Sequence, residues 1–150
     1  MKKTPFVLTV LLIGLSFFAV ACGGESESEK EREAESGRGT VTCSGDAMTG
    51  ETRLPADFPQ IEGITFVKSQ KTGPTQVVDG YADRDLGEVY DEFNSELESA
   101  GYTILFHEQE KDDAEVSYRS ADKSTEGQVA LRECEGDEKT SVHITARPGD

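Results

Sequence analysis

The chain has 150 residues, with 30 Asp and Glu against 15 Lys and Arg, a formal net charge of −15. Without any basic run, that balance excludes the phosphate backbone of a nucleic acid as a partner and excludes docking on anionic lipid heads through surface charge. Only three cysteines and two histidines are present to supply thiol or imidazole chemistry.

At the N-terminus Lys2 and Lys3 form a short positive region, and residues 6–21 are almost wholly apolar. This is the h-region of a signal peptide and is short for a spanning helix. Small residues, Ala19 and Ala21, stand just before Cys22. Ala19-Val20-Ala21 reads as an A-x-A site for ordinary secretion, and an uncleaved anchor helix is another reading. The tetrad Ala19-Val20-Ala21-Cys22 also resembles the lipobox of bacterial lipoproteins, with Ala19 where Leu is most frequent. That resemblance implies a diacylglyceryl group on the Cys22 thiol and Cys22 as the mature N-terminus. Cysteine arithmetic favours the lipobox: with Cys22 lipidated, Cys43 and Cys134 remain as an even pair for an oxidising compartment. Loss of Lys2 and Lys3 would take the net charge from −15 to −17. Two acyl chains would anchor such a chain without a basic patch.

Residues 23–39, GGESESEKEREAESGRG, contain no aromatic or branched apolar residue. They bury too little apolar surface to offset ordering and read as a tether, spanning about 20–25 Å root mean square as a coil. The expected division is therefore a signal peptide over 1–21, a lipidated N-terminus and tether over 22–39, and a single α+β domain over 40–150.

From residue 40 the pattern changes to short apolar alternations. Residues 40–43 read as a short strand, and Leu54-Pro55-Ala56-Asp57-Phe58-Pro59 as a packed loop. Strands over 64–69 and 76–82, separated by the turn signal Lys71-Thr72-Gly73-Pro74, predict a hairpin. Residues 85–100 predict the one helix. Leu86, Val89, Tyr90, Phe93 and Leu97 form an apolar stripe, Asp85 and Glu88 match a capping box, and Gly101 stands where a left-handed residue ends a helix. Strands over 102–109, 114–120, 128–134 and 141–147 follow, joined by short polar connections that predict antiparallel pairing. The expected architecture is an α+β two-layer sandwich, a mostly antiparallel sheet of five to six strands with the helix on one face.

A Cys43–Cys134 bridge is expected within this domain, the alternative being two buried free thiols. Alternation turns His107 and His143 away from the helix-facing residues Ile104 and Ile144, and gives Arg119, Arg132 and Arg147 the same parity. The sheet face opposite the helix is thus expected to gather three arginines and two histidines. Such a set suits an anion, through guanidinium forks on carboxylate or phosphate; the plainer reading is a solvated face whose cations pair with nearby Glu and Asp. No HxH, HxxxH or CxxC occurs, and the acidic turns at 112–113 and 135–138 lack the spacing of a calcium loop. No GxSxG or phosphate loop is present. The sequence therefore offers no metal, no cofactor and no catalytic constellation.

The pattern Leu54-Pro55-x-x-Phe58-Pro59, followed by Tyr90-x-x-Phe93-x-x-x-Leu97-x-x-x-Gly101-Tyr102, is similar to one found in many small bacterial lipoproteins of unknown function. The resemblance spans 54–147 and implies a hairpin, a helix, a Gly-aromatic turn and a meander, with no active-site residues. The expected function is a noncatalytic lipoprotein anchored outside the cytoplasm, binding an envelope protein or cell-wall partner. It would sit on the outer face of the plasma membrane or, in a diderm host, in the periplasm or at the outer membrane. The alternative is a small anionic-ligand carrier using the open sheet face.

Overall fold

The hairpin comprises β1 (Ile64–Thr72) and β2 (Thr75–Ala82), closed by a two-residue loop in which Gly73 takes φ 58°. In this computed structural model, which describes residues 41–149, both strands run further into the turn than the polar Lys71 and Thr72 suggest. The signal segment, Cys22 and the tether lie outside the described residues.

Helix α1 (Leu86–Ser99) has Asp85 as its N-cap, the carboxylate accepting from the Gly87 N–H at 2.8 Å. It ends at Gly101, φ 85°, where the Gly101 N–H donates to the Glu98 carbonyl and the Tyr102 N–H to the Leu97 carbonyl. These two bonds satisfy carbonyls left open by the helix end, and a left-handed glycine permits them. The chain continues through β3 (Thr103–Gln109), β4 (Asp113–Arg119), β5 (Thr125–Glu133) and β6 (Thr140–Pro148).

The six strands of the described residues form one antiparallel sheet in the order β1-β2-β6-β5-β4-β3. The last strand thus inserts between the hairpin and the meander. The helix packs across β3, β4 and β5, burying Leu86, Val89, Phe93 and Leu97 against Val116, Tyr118, Val129 and Leu131. Each such side chain contributes about 1.5–3 kcal/mol of apolar burial.

Residues 41–61 form a strap with no regular ladder, so the strand expected at 40–43 is absent over its described part, 41–43. The strap begins on the sheet face opposite the helix, where the Thr42 N–H donates to Ser141 Oγ and the Tyr81 hydroxyl to the Gly45 carbonyl. It passes the outer edge of β1, where the Met48 N–H donates to the Phe66 carbonyl. It then reaches the helix side, where Phe58 and Ile61 are buried in the core. Cys43 is bonded to Cys134, just after β5, with Cα atoms 5.9 Å apart across a sequence separation of 91. Closing so long a loop contributes about 4–5 kcal/mol in chain-entropy terms.

Candidate functional site

The open face of the sheet carries the side chains that alternate with the core. Strand register assigns them, because directly opposed residues share a face. Val116 opposes Val129, which opposes Ile144, which opposes Val78, all in the core. Arg119, Arg132, His143 and Arg147 have the other parity and stand on the open face, as the alternation predicted.

His107 does not. A bulge between Ile104 and Phe106 adds one residue to β3, so that Phe106 opposes Ser117 and His107 opposes Val116. The insertion reverses the parity of everything after it. His107 consequently turns to the helix side, where its Nδ1 lies 2.9 Å from the Tyr90 hydroxyl and the two rings stack. Phe106, which strict alternation would place on the core face with Tyr102 and Ile104, is on the open face and 47% exposed.

Three of the remaining groups have clear neighbours. Glu126 lies directly between Arg119 and Arg147 on adjacent strands. Arg119 donates to one carboxylate oxygen at 2.9 Å and Arg147 to the other at 2.8 Å. Hydrogen bonds from Arg119, then from Arg147, hold the Glu126 carboxyl below its ordinary range, against a smaller opposing effect of burial. Two of the three predicted arginines are thus joined to a third strand's carboxylate, the arrangement of the plainer reading.

Arg132 opposes Asp113 and Ser141, near the other end of β5. Six residues separate it from Glu126, roughly 20 Å along an extended strand. His143 is buried, with Nδ1 2.7 Å from Asp79 Oδ1 on β2. The five predicted residues are therefore dispersed: one row of Arg119 and Arg147, an isolated Arg132, a His143–Asp79 pair, and His107 on the far face.

Glu126 and Asp79 were not singled out in the sequence. Asp79 interrupts the apolar run of β2, and Glu126 has the parity of both arginines, so each carries a signal only once register is known. Beside the Arg119–Glu126–Arg147 row lies a groove of about 330 Å3, lined by Leu105, Ser117, Gln128, Thr145 and Arg147 among others. Its wall offers hydroxyl, amide and aliphatic groups beside the Glu126 carboxylate and the Arg147 guanidinium. Cys43 and Cys134 are consumed by their bridge, and among the described residues no three His, Cys, Asp or Glu side chains gather as metal ligands. Among the described helices none is long and apolar enough to cross a membrane. No family model and no curated protein matches the chain.

Proposed function

We propose that this chain is an extracytoplasmic lipoprotein, anchored through Cys22, whose α+β domain is a two-layer, noncatalytic binding module for an envelope protein or cell-wall partner. The observation that carries the reading is the Cys43–Cys134 disulfide. Disulfides persist in oxidising compartments, outside the cytoplasm. That pairing leaves Cys22 as the third cysteine, next to the apolar N-terminal run. The acidic surface agrees with it, since a chain of this charge needs a covalent link to stay at a membrane. The anion-carrier alternative has less support, because Arg119 and Arg147 are already engaged by Glu126. Metabolic labelling with a fatty-acid probe tests the anchor. Label is expected on the wild-type protein and is lost in Cys22→Ala. An unlabelled wild type, or label that survives Cys22→Ala, overturns it.

A further inference from the structure

The two edges of the sheet are treated differently. The outer edge of β1 is occupied by the strap, through the Met48 N–H on the Phe66 carbonyl, and the strand carries Lys68 and Lys71. Both devices discourage another strand from adding. Among the described residues the β3 edge has neither: Thr103–Gln109 contains no lysine or proline, and β3 is the last described strand of the sheet. Its bulge lies at Leu105 alone, and Phe106 to Gln109 pair regularly with β4. The bulge also gathers Leu105 and Phe106 on the open face, 49% and 47% exposed. Further along the edge the character changes. Glu108, Glu110, Asp113 and Glu115 surround a cleft of about 180 Å3, while the nearby Lys111 ammonium is turned to Asp112.

We infer that the β3 edge accepts an extended segment of another protein as a seventh strand. Antiparallel addition sets the polarity. The first half of the incoming segment lies beside Glu108 and Glu110 and bears Lys or Arg; its second half lies beside Ile104 to Phe106 and is apolar. Main-chain bonds supply affinity, and alternate side chains supply specificity. Charge argues for a foreign partner over a second copy, since two strongly acidic chains repel as wholes and the β3 of a second copy offers no Lys or Arg to Glu108 and Glu110. This partner rests on the binding-module part of the proposed function and not on the lipid anchor, so labelling of Cys22 and the test below fail independently.

The test is fluorescence anisotropy of the purified protein with a ten-residue probe peptide. Lysine alternates with threonine in its first half, and valine with threonine in its second. Saturable binding is expected below about 100 µM, at least about tenfold weaker when the two halves are exchanged. Leu105→Ser with Phe106→Ser, both exposed sites, should weaken it about tenfold while far-UV circular dichroism is unchanged. Glu108→Lys with Glu110→Lys should remove its salt dependence. No saturation by about 1 mM, equal binding of both peptide orders, or binding untouched by both variants overturns the inference. So does a dimer in sedimentation that Phe106→Ser dissolves, since the occupant would then be a second copy.

Discussion

Substitution of Gly127 by alanine should cost more than its single methyl suggests. Gly127 stands on β5 between Tyr118 of β4 and Ala146 of β6. The Tyr118 ring is buried in the core, and its hydroxyl passes Gly127 to donate to the Thr145 carbonyl at 2.7 Å. A Cβ at position 127 would lie 1.9 Å from the Thr145 carbonyl oxygen and 2.7 Å from the Tyr118 hydroxyl oxygen. The nearer atom is backbone, and it cannot retreat without opening the β5–β6 ladder. Overpacking of this kind costs about 1–3 kcal/mol or more, and loss of the buried hydrogen bond adds about 1–1.5 kcal/mol. The expected total is about 2–4.5 kcal/mol, a fall of roughly 8–18 °C in Tm for a domain of this size. Urea and thermal denaturation followed by far-UV circular dichroism would measure it. Tyr118→Phe removes the hydroxyl but leaves the backbone clash, so the double variant should be no more stable than Gly127→Ala alone. A Gly127→Ala protein within about 1 kcal/mol of wild type, or one restored by Tyr118→Phe, would refute the reasoning.

Reduction of Cys43–Cys134, or replacement of both cysteines by serine, should lower stability by about 4–5 kcal/mol through the freed loop; urea midpoints with and without reductant would show it. Glu126, whose folded carboxyl is held low by Arg119 and Arg147, contributes stability above the ordinary carboxylate range. That contribution is lost as pH falls through the lowered folded value. Arg119→Ala with Arg147→Ala should therefore flatten the acid limb of a stability–pH curve, and an unchanged limb would count against the row. The Asp122 carboxyl, pulled down to about 2 by the Ser124 hydroxyl, the Ser124 N–H and the Ser120 hydroxyl, should give a carboxyl NMR titration midpoint near that value. Ser120→Ala with Ser124→Ala should return it toward the usual range.

Local signals in the sequence made some of this fold legible and left other parts hidden. Helix α1 was readable because its stripe, its Asp85 cap and its Gly101 terminus all lie within a few turns. The strands were readable from alternation, and the bridge from cysteine arithmetic. Strict alternation carried through Leu105 misplaces His107 and Phe106, although three successive apolar residues, Ile104, Leu105 and Phe106, already break the alternation and mark the bulge. The Phe66–Val67 pair marks a second irregularity, between Phe66 and Lys68 in β1. The place of β6 between β2 and β5 was not legible, since nothing local records which distant strands will flank it. Its sign is burial on both faces, from Ser141 to Ala146. The open-face set was legible in residue type but not in grouping. Only cross-strand register brings Arg119 and Arg147 to Glu126 and separates them from Arg132.

The Cys43–Cys134 bond also determines how the protein bears a pull. Tension applied to the chain before Cys43 crosses the sulfurs and enters the sheet at Cys134, immediately behind β5. The remaining strap, the β1–β2 hairpin and α1 lie between the two cysteines in sequence and are bypassed, so they are not unravelled from that end. From β5 the path to the β3 edge runs through β4, across two ladders whose hydrogen bonds lie along the line of force. A pull from the N-terminal side is therefore handed directly to the β5–β4–β3 ladders and the helix packed on them, while the strap and the hairpin stay closed behind the sulfurs.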